Sequence, residues 1–208
     1  MIDSILFDVD GTIWDSTPVV EDAWNQALID SGIPEIKVSA ARLKGLFGLP
    51  MDEIIDDILP GYPEDVKKKF QPFCYEYEDR YLKDRPGYVY EGMEETLKKL
   101  SEKYPLFVVS NCQSGYIELL YEKTGFSKYF TDHTCFGDTG MFKARNIRLI
   151  MDKHNLKNPV YVGDTQMDAN ACIEADVPIC YASYGFGKVI NPAFTITKPI
   201  ELVNLFAK

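Results

Sequence analysis

The sequence has 208 residues, 46% of them hydrophobic, which is apolar material enough for one large domain or for a core domain carrying an insertion. A formal net charge of −10 argues against nucleic acid as a partner, since binding a phosphate backbone needs a basic surface that displaces counterions. Cys74, Cys112, Cys135, Cys172 and Cys180 include no C-x-x-C pair, the chain does not open on the basic flank and apolar stretch of a secretion signal, and no apolar run reaches membrane-spanning length. A disulfide framework, a zinc knuckle and a membrane partner are therefore not expected, and a reducing cytoplasm fits best.

In chain order, Ser4–Val9 is predicted to be a short apolar strand. Strands then vanish between Trp14 and Tyr88. There Val19–Ser31, Ala40–Phe47, Met51–Leu59 and Glu64–Leu82 read as helices, broken at Pro34, Gly48-Leu49-Pro50 and Pro60-Gly61. From residue 89 onward, β-rich runs alternate with helical patterns. Leu106–Ser110, His133–Phe136, Val160–Gly163 and Pro178–Ala182 are the predicted strands. Met93, Leu97 and Leu100 repeat at helical spacing, as do Ile147, Ile150, Met151 and His154. The alternation predicts an α/β fold, a doubly wound parallel sheet with a Rossmann-like core from residues 1–13 and 89–208 and an inserted helical cap domain at 14–88. Such sheets bind ligands along the edge formed by the C-terminal ends of their strands, and an insertion directly after the first strand is expected to act as a lid there.

The strongest motif is Phe7-Asp8-Val9-Asp10-Gly11-Thr12, an apolar strand ending in two acids separated by one residue. Strand alternation points Asp8 and Asp10 to one side, and Gly11 permits a sharp turn close to a ligand. Two carboxylates so close repel unless a cation lies between them. Magnesium, which prefers oxygen ligands, is the natural candidate; the competing reading is a solvated turn. Tyr161-Val162-Gly163-Asp164-Thr165-Gln166-Met167-Asp168 repeats the design across a strand-to-helix turn, although Asp168 also suits the first turn of a helix. In Val108-Val109-Ser110-Asn111, Ser110 is either a helix cap or part of a phosphate site completed by backbone N–H groups. Lys143 opens an amphipathic helix, an end that disfavours a cation unless an anionic ligand or a carboxylate faces it. Cys112 reads as a small apolar residue rather than a nucleophile, and His133 and His154 as structural. Arg42 and Lys44, near a turn between helices of the insertion, are candidates to reach the substrate, with ordinary surface cations as the alternative.

In order and spacing, Asp8-x-Asp10-Gly11-Thr12, Ser110-Asn111, Lys143 and Gly163-Asp164-x-x-x-Asp168 resemble the four motifs of the haloacid dehalogenase superfamily of phosphatases, and the resemblance covers nearly the whole chain. The insertion is similar to the small cap of the phosphoglycolate phosphatase-like branch. The resemblance implies a magnesium-dependent phosphoric monoester hydrolase acting on a small phosphorylated metabolite of the phosphoglycolate or sugar phosphate class. It implies that Asp8 is the nucleophile and Asp10 the general acid, then base. Magnesium would be held by the Asp8 carboxylate, the Asp10 backbone carbonyl and Asp164, with Asp168 supporting the metal or its waters. Ser110, the Asn111 backbone and Lys143 would hold the phosphoryl oxygens, with Gly11 giving the ligand room. Many relatives have a proline soon after the lysine, whereas this chain has Ala144-Arg145, which leaves Arg145 a claim to the phosphate. Lys143 is preferred because it is the only lysine between Lys128 and Lys153.

The alternative within the same resemblance is a phosphomutase of the β-phosphoglucomutase type, which keeps water from the aspartyl phosphate until a sugar hydroxyl accepts it. A phosphoacceptor signalling domain also combines an acid, a hydroxyl and a lysine at a parallel sheet edge, but leaves the helical insertion unexplained. Neither motif nor composition specifies an oligomeric state.

Overall fold

The computed structural model of the chain describes residues 2–207. Its elements run β1 (Ser4–Phe7), β2 (Trp14–Asp15), α1 (Thr17–Asp30), α2 (Ala40–Leu46), α3 (Met51–Ile58), α4 (Glu64–Asp84) and β3 (Tyr88–Val89). They continue with α5 (Met93–Ser101), β4 (Leu106–Ser110), α6 (Tyr116–Thr124), β5 (Asp132–Cys135), α7 (Phe136–Thr139), α8 (Lys143–His154) and β6 (Pro159–Gly163). The last are α9 (Gln166–Ala175), β7 (Ile179–Ala182), β8 (Phe194–Ile196) and α10 (Glu201–Phe206). Six strands form one sheet in the order β5-β4-β1-β6-β7-β8, with every neighbouring pair parallel, while β2 and β3 pair separately.

The central strands β1, β4 and β6 are buried along their whole length. Helices cover both faces of such a sheet, so its inner strands read as continuous apolar runs instead of alternating. The edge strands β5 and β8 keep polar or exposed residues. Leu6, Phe107, Val109 and Tyr161 of the sheet pack with Ile147 and Ile150 of α8 and with Ala169 and Cys172 of α9 in one core cluster. Truncating a leucine in a core of this kind costs roughly 2–5 kcal/mol, which makes this face a stiff platform for the strand ends.

The chain divides into two compact units, Met1–Asp15 with Val89–Lys208, and Ser16–Tyr88. In the second unit α1 packs along α4, and the Trp24 indole donates to the buried Glu78 carboxylate at 3.1 Å. Pro50 and Pro63 stand directly before α3 and α4, and each helix carries two acids in its first turn, where the dipole favours them. Among the described residues, no helix is long and apolar enough to cross a membrane.

Element boundaries differ from the sequence expectation in instructive places. Hydrogen bonding of β1 as a strand ends at Phe7, although the Asp8 N–H still donates to Val162 O at 2.9 Å. Ser110 caps nothing, because α6 begins only at Tyr116 behind a left-handed Gly115. The strand β8 was not expected at all: it has three residues, two of them exposed, just after Pro192.

Candidate active site

Phe7 lies opposite Val108 of β4 on one side and Val162 of β6 on the other. The C-terminal ends of these three strands therefore lie side by side, and they and the residues just beyond them carry Asp8, Ser110-Asn111 and Gly163-Asp164. β1 is also where the chain changes direction of travel, with β4 and β5 to one side and β6, β7 and β8 to the other. In open sheets of this kind, ligands bind outside the carboxyl ends of the strands at such a switch point.

Asp8, Asp164 and Asp168 are buried there, and each offers a carboxylate oxygen within 4.8 Å of the others. Lys143, the first residue of α8, reaches into the cluster: its Nζ lies 3.0 Å from Asp8 Oδ1 and 2.5 Å from Asp168 Oδ1. The carboxylate partner that a lysine at a helix N-terminus calls for is thus supplied twice. Arg145, the competitor for this position, is exposed on the same helix.

Asp168 has a second task. With Thr165 it forms a capping box at the start of α9, and its Oδ2 accepts from the N–H groups of Asp164 and Thr165 and from the Thr165 hydroxyl at 2.7–3.2 Å. One oxygen of Asp168 holds the turn that carries Asp164, and the other holds Lys143. The helix-start reading of Asp168 and its membership of the acidic cluster are both realised.

Asp164 is hemmed in by glycines. A Cβ on Gly11, whose φ is +78°, would meet Asp164 Oδ2 at 2.1 Å, and one on Gly185 would meet Asp164 Cβ at 2.3 Å. Its oxygens accept from the Thr12 hydroxyl at 3.3 Å and the Phe186 N–H at 2.7 Å. The carboxylate of Asp10 stands outside the acidic cluster and accepts a 2.9 Å hydrogen bond from the Tyr116 hydroxyl. Ser110 is buried at the end of β4 with Asn111 next to it.

A family model for haloacid dehalogenase-like hydrolases matches residues 5–182. The chain belongs to this family.

As a haloacid dehalogenase-like hydrolase the protein is an enzyme, and its relatives narrow the branch. It is 28% identical to a phosphoglycolate phosphatase of Vibrio parahaemolyticus, over 98% of this chain and 95% of that one. It is 27% identical to a phosphoglycolate phosphatase of Aquifex aeolicus, over 97% and 95%. The fold matches that of a haloacid dehalogenase-like family hydrolase from Streptococcus pneumoniae, with a TM-score of 0.88 at 21% identity and coverage of 99% and 98%. It also matches a protein from Haemophilus somnus described as a predicted phosphoglycolate phosphatase, with a TM-score of 0.87 at 22% identity and coverage of 98% and 97%.

In this haloacid dehalogenase-like hydrolase the electrostatics of the site are set by burial. Burial lifts the Asp8 carboxyl to about 6 against the pull of Lys143, with Asp168 pushing it further up. Burial, followed by Asp168 and Asp8, pushes the Asp164 carboxyl well above its ordinary value. Burial opposes the charge on Lys143, yet Asp168 and Asp8 hold its ammonium above the usual lysine range. Three clustered carboxylates face one ammonium, and the buried Asp8 Oδ1 receives no directed hydrogen bond despite its closeness to Lys143. An all-oxygen cluster with an excess of negative charge fits a small divalent cation of the magnesium type. Burial likewise raises the Cys112 thiol well above its ordinary value, which disfavours the thiolate a nucleophile needs.

Two of the candidate substrate-contacting residues lie in the inserted unit. Arg42 is engaged there by Asp57, donating to Oδ1 at 2.8 and 3.1 Å and to the backbone carbonyl at 2.5 Å. Lys44 is half-buried in the last turn of α2, where the dipole favours a cation. Three contributors escaped the sequence reading, Gly185 and Phe186 around Asp164 and Tyr116 on Asp10, while Thr12 was read as part of the first motif but given no role. The run Tyr184-Gly185-Phe186-Gly187 directly after β7 was the available signal, since glycines behind a strand end mark close backbone approach.

Proposed function

We propose that this chain, a phosphatase of the haloacid dehalogenase-like family, hydrolyses a small phosphorylated metabolite of the phosphoglycolate or sugar phosphate class through a phosphoryl group carried on Asp8. The observation that carries the reading is the buried Asp8 carboxylate at the end of β1, with Lys143 Nζ 3.0 Å away and Asp164 and Asp168 beside it. The curated relatives named phosphoglycolate phosphatase support the substrate class. Five free cysteines, in a chain without a membrane-spanning helix among its described residues, support a reducing, cytoplasmic setting.

In the first displacement an Asp8 oxygen forms a bond to phosphorus as the ester P–O bond breaks, and the leaving alkoxide takes a proton from Asp10. In the second, Asp10 accepts a proton from water, the water oxygen bonds to phosphorus, and the Asp8–phosphorus bond breaks to release phosphate. Dividing hydrolysis into two displacements lowers each barrier. Lys143, Ser110 and the Asn111 backbone bind the phosphoryl oxygens, whose charge must be matched as the group transfers. A magnesium ion would be held by the Asp8 carboxylate, the Asp10 backbone carbonyl and Asp164. When bound it supplies positive charge to the phosphoryl group. Asp168 serves the ion indirectly, by fixing the Asp164 turn and Lys143. The inserted unit, which enters the sequence between the first strand and the rest of the core, provides side chains that select the substrate, with Arg42 and Lys44 as candidates.

The test is release of inorganic phosphate from 2-phosphoglycolate and sugar phosphates in magnesium, by wild type and Asp8→Asn. Turnover is expected in the wild type and is expected to vanish in the variant, which keeps the side-chain shape but loses the nucleophile. Normal turnover by Asp8→Asn would sink the assignment. Conversion of a sugar phosphate to its isomer without phosphate release would replace hydrolysis with a mutase reaction.

A further inference from the structure

Tyr116 is the first residue of α6, 3% exposed, and its ring meets that of Trp14 edge-on at 5.8 Å. Its hydroxyl crosses 106 residues of sequence to donate to Asp10 Oδ1 at 2.9 Å. Trp14 also holds the Asp10 loop through the backbone: it bridges to Asp10, and its carbonyl accepts from the Gly11 N–H at 2.9 Å. One residue thus closes the Asp10 turn and braces the tyrosine that touches the Asp10 side chain.

We propose that Tyr116 is a positioning residue for proton transfer, orienting the Asp10 carboxyl so that Oδ2 carries the proton to and from the reacting oxygen. The proposal rests on the role assigned to Asp10 above. With Oδ1 held by the phenol, rotation of the carboxyl about its χ2 axis is restricted, and the proton falls to the opposite oxygen. The contact suits both halves of the reaction. Oδ1 accepts the phenol proton as a carbonyl oxygen when Asp10 is protonated and as a carboxylate oxygen when it is not. Neither displacement therefore requires the phenol to move, and Tyr116 itself exchanges no proton with substrate. Its location ties together two parts of the site that are distant in sequence, the loop after the nucleophile and the loop after Ser110-Asn111.

The experiment compares kcat/KM for 2-phosphoglycolate, a poor alkoxide leaving group, with that for p-nitrophenyl phosphate, whose phenolate leaves without a proton. Tyr116→Phe keeps the ring against Trp14 and removes the donor. It is expected to lower kcat/KM for the alkyl ester about 10-fold or more, the order of one hydrogen bond to a charged group. The aryl ester should stay within about 2-fold, because a leaving group that needs no proton is indifferent to acid catalysis. Added to Asp10→Asn, Tyr116→Phe should cause no further loss, since it acts only through Asp10. Equal losses on both esters, additive losses in the double variant, or no loss at all would overturn the proposal. A wild-type enzyme inert toward both esters would instead overturn the phosphatase reading, and this one with it. Should Tyr116→Phe fail to fold, 3-fluorotyrosine at position 116 retains the hydroxyl while changing its acidity. The alkyl-to-aryl ratio is then expected to shift, and a ratio equal to wild type would count against the proposal.

Discussion

Lys143 meets two penalties, a helix N-terminus whose dipole repels cations and nearly complete burial, and Asp8 and Asp168 offset both. Removing the ammonium leaves two buried carboxylates facing each other without compensation. Lys143→Met is therefore expected to cost about 3–5 kcal/mol, read from urea unfolding in the presence of a chelator, together with most of the activity. A loss below about 1 kcal/mol would mean that the uncompensated charge is relieved by protonation of Asp8, a route its already elevated carboxyl makes short. This position was legible in the sequence because a lysine opening an amphipathic helix is an electrostatic anomaly. Phe186 was not legible, since it serves Asp164 through its backbone N–H, a group every non-proline residue carries. Tyr116 was hidden for another reason: on a helix of apolar character a buried tyrosine reads as core, and only the fold brings it to Asp10.

Between elements, the C-terminal end of α8 is tied to β5 by Asp132, whose Oδ2 meets Lys153 Nζ and His154 Nε2, both at 2.7 Å. Burial pulls the Asp132 carboxyl upward, but Lys153, His154 and the His133 N–H outweigh it and hold the group below its ordinary value of 3.8. A carboxyl depressed by folding contributes stability that is present above its unfolded value and lost as pH falls through its folded value. Asp132→Asn is thus expected to destabilise the core by about 1 kcal/mol at neutral pH, after discounting for partial exposure, and by less as the pH is taken below about 4. A wild-type-to-variant gap in urea midpoint that does not narrow in acid would contradict this. The same elements show what pattern alone conveys. β4 and β6 are uninterrupted apolar runs and were found nearly residue for residue, and the four helices of the insertion were found between their proline and glycine breaks. β8 has no such run, because an edge strand buries one residue in three and borrows its order from pairing with β7.

Across the whole molecule, a net charge of −10 surrounds a site whose buried acids outnumber its ammonium, so a divalent cation is expected to stabilise the folded chain. At about 100 times its dissociation constant, magnesium should add about 2.7 kcal/mol, or roughly 5–10 °C in melting temperature for a chain of this size. Asp164→Asn removes one of the clustered charges, so the variant should melt no lower than wild type in a chelator and gain little from magnesium. An undiminished magnesium shift in that variant would place the ion elsewhere. The order of the sheet has a further consequence, for synthesis on the ribosome. β1 is central to the sheet and leaves the ribosome ahead of the other five strands, yet its neighbours β4 and β6 begin only at Leu106 and Pro159. At about 5–20 residues per second the strand bearing the nucleophile waits on the order of 5–20 s for its first partner. Meanwhile Ser16–Tyr88, whose packing contacts lie within one continuous stretch, emerges complete. Until β4 emerges, the nascent chain therefore carries an apolar Ser4–Phe7 segment without its sheet partners, open to contacts that the finished sheet excludes.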